Sequence, residues 1–346
     1  MGSRAPSSDM NRKVSALVLC LFGLVIPVML SCGGESGDRG AGGIREEAGT
    51  SGVRSEIPAI TSNDTPLHIL FELDRNKVIL PVRVGDSRPL RVLLDTGMHF
   101  DGLLIYNRDI RDSLGIENFM EVQVGGAGSG KASNAVMADS VSFAIGDAKL
   151  TGQRIILLTG DRFEGFPSDG VCGYSLLGHY AVEIDYDSLR ITLHDPGDLS
   201  IDDSWDSVPL TFRGNRIPWV EAAIGVTGPE ETPVSLYIDL ASGEAIEMLI
   251  QDGMLYELPP DLEEVYLGRG LSGDVNGYRG RISFLRLGPF RLENVVAAFA
   301  DAKVRSKQPG ADGVLANNVL RRFNIIFDYA NERLYLKPNG HFDEPF

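Results

Sequence analysis

A mainly β chain made of two similar halves is the fold class the sequence predicts, and three observations carry it. From residue 65 onward, short runs rich in Val, Ile, Leu and Phe alternate with Gly, Asp, Asn and Pro, and long stretches with helical period are scarce. Blocks of sequence recur at one near-constant offset. An ionisable Asp closes an apolar run twice: Asp95-Thr96-Gly97 follows Val92-Leu93-Leu94, and Asp239-Leu240-Ala241 follows Leu236-Tyr237-Ile238.

Taken in order, the β-type runs include Val78-Ile79-Leu80, Arg91 to Leu94, Ser140 to Ile145, Arg154 to Leu158 and Arg190 to Leu193. Gly170-Val171-Cys172-Gly173-Tyr174-Ser175-Leu176-Leu177 is echoed by Gly313-Val314-Leu315-Ala316-Asn317-Asn318-Val319-Leu320. Ala181 to Tyr186 is echoed by Asn324 to Tyr329, and Leu189 to Leu193 by Glu332 to Leu336. Four anchors at nearly one offset are the mark of an internal duplication. Each half runs from its Asp motif to a Gly-Val turn and then to a hairpin with Asp-Tyr. Two halves folding alike would bring two carboxylates together.

The N-terminal segment reads differently. Asn11-Arg12-Lys13 precedes a nearly unbroken apolar stretch from Val14 to Met29, closing at Leu30-Ser31-Cys32-Gly33-Gly34. A short apolar region ending in small residues reads as an export signal over residues 1–32, with Met10 a candidate start. Cys32 at its end resembles the lipidated Cys of bacterial lipoproteins, which implies a lipid anchor in a bacterial membrane. Gly33 after it leans towards the outer membrane by the same resemblance. Residues 33–64, rich in Gly, Ser and charge, read as a flexible tether that cannot bury enough apolar surface to order itself. The expected body is then a lobe over 65–200 and a second over 201–346. A formal net charge of −16 argues against nucleic acid as partner, since no basic stripe is present to meet phosphates. With Cys20 in the signal and Cys32 at the anchor, Cys172 has no partner for a disulfide.

The two Asp motifs and the matched downstream strands resemble the retropepsin/pepsin-like aspartic proteases, in particular bacterial proteins with two fused halves, over roughly residues 68–338. The resemblance implies an acid-protease fold, with two pseudo-two-fold-related, barrel-like lobes and a cleft between them. It also implies an aspartic-type endopeptidase whose catalytic residues are Asp95 and Asp239. Two carboxylates sharing one proton titrate as a coupled pair, one serving as general base on water and the other polarising the scissile carbonyl. No metal and no other cofactor is expected. Thr96, Gly97 and Ser242 would support the loops, with the Thr96 hydroxyl bonding across to the partner loop. The second half departs from the pattern at Leu240, Ala241 and Ala316.

Gly125-Gly126-Ala127-Gly128-Ser129-Gly130-Lys131-Ala132 nearly spells a phosphate-binding loop, but Ala132 lacks the hydroxyl that would reach magnesium, and Val136 to Ile145 looks extended where a helix is needed. By the resemblance, Gly126, Gly128 and Gly130 belong to a flap over the cleft, with a counterpart near Gly268 to Gly273. His99 reads as a lining or surface residue, Cys172 as inert core and Ser175 as the start of a short helix. The expected partner is an extended peptide or protein substrate bound by a monomer. The alternative is a protease-fold lipoprotein that binds peptides without cleaving them.

Overall fold

The structure, a computed structural model, describes residues 66–305 and 308–346; the predicted signal with Cys32 and the tether at 33–64 lie outside the described residues. β1 (Leu67–Leu70) leads into the first half, which comprises β2 (Glu72–Asp74), β3 (Lys77–Val84), β4 (Leu90–Leu94), β5 (Gly102–Ile105), β6 (Met120–Val124), β7 (Ser133–Ile145), β8 (Ala148–Leu158) and β9 (Gly170–Cys172). A single helical turn, α1 (Tyr174–Leu177), precedes β10 (Ala181–Asp185), β11 (Arg190–His194) and β12 (Asp206–Pro209). The second half repeats the series as β13 (Thr211–Phe212), β14 (Pro218–Gly225), β15 (Thr232–Asp239), β16 (Ile246–Ile250), β17 (Glu263–Gly270), β18 (Gly273–Leu287) and β19 (Phe290–Asp301). After it come α2 (Ala302–Arg305), β20 (Gly313–Ala316), α3 (Asn317–Leu320), β21 (Phe323–Asp328) and β22 (Arg333–Pro338).

Each half closes into a six-strand barrel. In the first, the order β3-β4-β9-β5-β8-β7 is sealed by pairing of β3 with β7; in the second, β14-β15-β20-β16-β19-β18 is sealed by β14 with β18. Closure leaves fewer unpaired strand edges, which are otherwise templates for aggregation. A third sheet, ordered β1-β11-β10-β21-β22-β12, takes strands from both halves and joins them where β10 meets β21, Val182 opposite Phe327. Its inward residues Val182, Ile184, Ile325, Phe327, Leu334 and Leu336 are buried in the main apolar core. The mainly β architecture of two barrel-like lobes expected from the sequence is the one observed.

The duplication is visible in strand register. In the first lobe Cys172 pairs in parallel with Leu94 and antiparallel with Leu103; in the second, Leu315 pairs in the same two ways with Ile238 and Ile246. β9 and β20 thus each thread between the strand that delivers an Asp and the strand that follows it. Sandwiched in this way, β9 and β20 are buried throughout, which accounts for their continuous apolar character.

One departure between the halves has a clear physical resolution. A Cβ on Gly173 would run into the carbonyl oxygen of Asp95, so the first lobe needs glycine there. Its counterpart Ala316 has φ −112° and ψ 175°, against −156° and −80° at Gly173. The rotated backbone accommodates the extra methyl, and Ala316 is fully buried. The extra methyl is accommodated locally, with β20 in the same register as β9.

Candidate active site

β4 runs directly into Asp95 and β15 ends in Asp239, and each acid is held by its own loop. Asp95 Oδ1 accepts the amide of Gly97 at 2.7 Å, and Asp239 Oδ1 accepts those of Ala241 at 2.9 Å and Ser242 at 3.1 Å. The Asp95 amide donates to Cys172 O at 2.8 Å, tying the first loop to the threading strand. Both side chains are withdrawn from solvent, Asp95 at 4% and Asp239 at 1% exposure.

One hydroxyl joins the two loops. Thr96 Oγ1 donates to Ile238 O at 2.7 Å and accepts the Leu240 amide at 3.2 Å, so both of its bonds cross from lobe to lobe. Leu240 returns no such bond; its side chain is instead buried in the main core. A second contact crosses nearby. Asn76, in the β2–β3 turn, donates through Nδ2 to Gly243 O at 3.0 Å, and Asn317 Nδ2 donates to Asn76 O at 2.6 Å. Asn317 Oδ1 in turn accepts the Tyr186 hydroxyl at 2.7 Å.

Burial raises both acids, and the Asp95 charge raises Asp239 further. Loss of hydration pushes the Asp95 carboxyl up to about 7 from 3.8, opposed by the Gly97 amide and the Arg305 charge. Asp239 is likewise pushed well above the usual carboxylate range, first by burial and then by the Asp95 charge, with Arg305 opposing. Two neighbouring acids in a dry site therefore retain a proton to much higher pH than free carboxyls do.

Behind Asp239 stands an ion pair that sequence reasoning missed. Arg305, fully buried on α2, is gripped through Nε and Nη2 by both carboxylate oxygens of Glu247, and its Nη2 lies 3.9 Å from Asp239 Oδ2. Ser242 Oγ donates to Glu247 Oε1 at 2.7 Å, and Arg305 Nη1 reaches the Tyr237 hydroxyl at 3.3 Å. Ser242 thereby supports the Asp239 loop with its amide and the ion pair with its hydroxyl. The available signal was a charged residue inside the apolar run Ile246-Glu247-Met248-Leu249-Ile250. Arg305, Asn76 and Asn317 carry no comparable local signal.

Gly126, Gly128 and Gly130 lie at the tip of the β6–β7 hairpin, and the β17–β18 hairpin of the other lobe meets it tip to tip. Gly130 N donates to Ser272 O at 2.7 Å, Ser272 N to Ala127 O at 2.8 Å, and Gly126 N to Ser272 Oγ at 3.3 Å. Gly128 N reaches Val304 O at 2.9 Å, while Ser133 Oγ donates to Leu271 O at 2.8 Å, an oxygen that also takes Arg162. Leu271 packs into a first-lobe cluster with Met98, Phe100, Tyr106 and Phe163, which also holds Ala241; Ala127 packs into a second-lobe cluster with Trp219 and Tyr237. Gly128 has φ +117°, and a Cβ there would collide with the backbone of Ser272 and Gly273. The near-miss to a phosphate loop is thus a hairpin tip followed by strand.

Cys172 and Ser175 have structural roles. The Cys172 thiol is buried and pushed up to about 12, chiefly by that burial. Ser175 lies in α1 and donates to Gln153 Oε1 at 2.8 Å while accepting the Gly102 amide at 2.7 Å. His99 is partly buried, and its Nδ1 has no hydrogen-bond partner among the described residues; burial pulls its pKa down.

Neither a family model nor a curated protein sequence matches the chain. Among solved structures, that of the aspartic proteinase from Irpex lacteus matches at a TM-score of 0.50 and 13% identity, covering 81% of this chain and 99% of its own. At that identity the likeness shows the fold, which is pepsin-like.

Two expectations follow from this geometry. Thr96→Val strands the Ile238 carbonyl and Leu240 amide in a buried place and should cost about 2 kcal/mol in urea unfolding, whereas Thr96→Ser should stay within about 1 kcal/mol. The second concerns pH. Asp95 binds its proton more tightly folded than unfolded, so its stabilising contribution is complete below about 3.8 and is lost as pH rises through about 7. The pH dependence of unfolding free energy, wild type minus Asp95→Asn, should therefore fall across that window; a flat or rising difference contradicts the raised carboxyl.

Proposed function

We propose that the protein is an aspartic-type peptidase, hydrolysing peptide bonds with a water activated between Asp95 and Asp239. The observation that carries this reading is the Thr96 hydroxyl, which clamps the Asp239 loop to the Asp95 loop while the two acids are buried and raised together. In the reaction, the ionised member of the pair takes a proton from water as the oxygen attacks the scissile carbonyl carbon. The protonated member gives its proton to the carbonyl oxygen, and collapse of the tetrahedral intermediate, with a proton passed to the nitrogen, releases the amine. Both acids come from one chain, so a monomer suffices.

Substrate reaches the acids only when the interlocked hairpins part, which makes the Gly126–Gly130 hairpin and its counterpart a double flap. An extended peptide beneath them would be held by strand-like main-chain bonds. The competing reading, a peptide-binding protein that no longer cleaves, draws on one observation: Leu240 and the buried Arg305 alter the surroundings of Asp239 relative to those of Asp95.

The test is hydrolysis of unfolded casein by the chain from residue 33 onward, between about pH 3 and 8. Wild type should yield fragments, and Asp95→Asn and Asp239→Asn should each lose about a thousandfold or more in rate. Cleavage by Asp95→Asn at the wild-type rate would sink the mechanism; peptide binding without cleavage by wild type would favour the binding protein. We further propose export and lipid anchoring to a bacterial outer membrane through Cys32. Cys32→Ser expressed from the full chain in a Gram-negative host should shift the protein from membrane to soluble fraction and abolish incorporation of labelled palmitate. An unchanged membrane fraction rejects the anchor.

A further inference from the structure

The two halves have diverged most sharply beneath Asp239. At the repeat offset, Glu247 stands where the first lobe has Leu104: Leu104 pairs with Val171, and Glu247 with Val314. By the same offset Arg305 answers to Arg162. Arg162 is only partly buried and turns to the hairpin tip, bonding Ser133 Oγ at 3.1 Å and the Leu271 carbonyl. Arg305 turns inward instead, where Glu247 grips it. An apolar position and a flap-facing arginine in one lobe have become a buried ion pair beside the catalytic candidate in the other.

We infer that Arg305 is a positioning residue for the Asp95–Asp239 pair, fixing the charge the pair carries, and that Glu247 sets how much of the arginine's positive field reaches it. The inference deepens the peptidase reading and depends on that reading for its catalytic consequence. Its basis is geometric. Arg305 Nη2 lies 3.9 Å from Asp239 Oδ2, an oxygen buried with no hydrogen-bond partner among the described residues. The guanidinium is held in place by Glu247 and the Tyr237 hydroxyl, and its helical turn is tied to the first flap where Gly128 donates to Val304 O.

Other charges face the same place. Glu244 follows the Asp239 loop, paired with Arg279 of β18 at 2.5 Å, and Lys77 of the first lobe approaches Gly243. Tyr106, Cys172 and Tyr329 feel the Asp95 charge, and burial holds all three protonated. Among these, Arg305 is the cation whose field opposes protonation of both acids, while Glu247 favours protonation of Asp239.

A purely structural ion pair and a charge-setting one make opposite predictions. Removing either partner of a structural pair weakens the fold and leaves the titration of the acids unmoved, or moves it in one direction. If Arg305 sets the charge, Arg305→Met raises the midpoints of the pair, while Glu247→Gln, which unmasks the arginine, lowers them. The measurement is a 13C titration of the Asp carboxyl carbons, with Asp95→Asn and Asp239→Asn as assignments, beside the acid limb of the casein-cleavage pH profile.

Expected are an upward shift of about 1 unit or more in Arg305→Met and a downward shift in Glu247→Gln. In Arg305→Met/Glu247→Met, a replacement of a kind that buried ion pairs often tolerate, the midpoints should return close to wild type. Should Arg305→Met fail to fold, Glu247→Gln and the double variant decide the matter. Shifts of one sign in both single variants, or none in the folded variants, overturn the inference. Opposite carboxyl shifts without casein cleavage would uphold the charge setting and reject the peptidase reading. Cleavage with unmoved carboxyls would do the reverse.

Discussion

The site depends on a single hydroxyl. Thr96 Oγ1 donates to one strand-end carbonyl of the opposite lobe and accepts an amide two residues further on, so it fixes both the position and the orientation of the loop carrying Asp239. Because the surroundings are buried, leaving those backbone groups without partners would be costly, and the bonds are correspondingly decisive. Where the second lobe offers Leu240, apolar packing takes over on that side. The junction is then half polar and half hydrophobic, with direction supplied by Thr96 and bulk by Leu240. The Asn76–Asn317–Tyr186 chain adds a second polar crossing, which limits rotation of one loop about the other.

Dryness turns this placement into chemistry. Carboxyls at 4% and 1% exposure interact far more strongly than surface acids, and burial raises both of them, Asp239 further through the Asp95 charge. The interlocked hairpins exchange apolar tip residues, Leu271 packing into the first lobe's cluster and Ala127 into the second's. Glycine at 128 is needed because the opposing backbone occupies the place of a Cβ. Composition at the tip thus serves close approach between two backbones, which also accounts for its likeness to a phosphate loop: both structures need bare backbone at short range.

The sequence made legible whatever the duplication stated twice. Threading strands, Asp-bearing strands and the shared hairpins were all anchored by repeated blocks, and their register in the barrels follows those blocks residue for residue, Cys172 answering to Leu315. Asp95 and Asp239 were visible because a polar residue at the end of a buried strand is a local anomaly, whereas the Thr96 crossing was implied by the family resemblance alone. Arg305 was not visible, since an arginine after a strand is ordinary until the fold reveals what it faces. Glu247 was readable in principle as a charge within an apolar strand. Its meaning depended on a partner 58 positions away in the chain. Ala316 stood out in the sequence only as a departure from the pattern, because backbone torsion, which absorbs the methyl, is not written in residue identity.

That last point bears on how a degenerate second motif should be weighed. A two-fold-symmetric pair of acids is built from identical loops, and nothing in its surroundings distinguishes one carboxyl from the other. Fusion of two halves removes the requirement for identity, and each loop can then respond to its own lobe. Here one loop kept Thr and Gly beside a Leu104 floor, and the other acquired Leu and Ala above a floor containing Glu247 and Arg305. The substitutions at 240 and 241 accompany a buried cation that opposes the desolvation of both acids, and among the described residues that cation has no inward-facing counterpart beneath Asp95, whose lobe sends Arg162 to the Leu271 carbonyl at the hairpin tip. The second loop thus keeps its amide grip on Asp239 while the charges beneath it have changed. Its divergence is one of electrostatic environment more than of geometry, and loss of the Thr-Gly pattern alone is a poor measure of what the site can do.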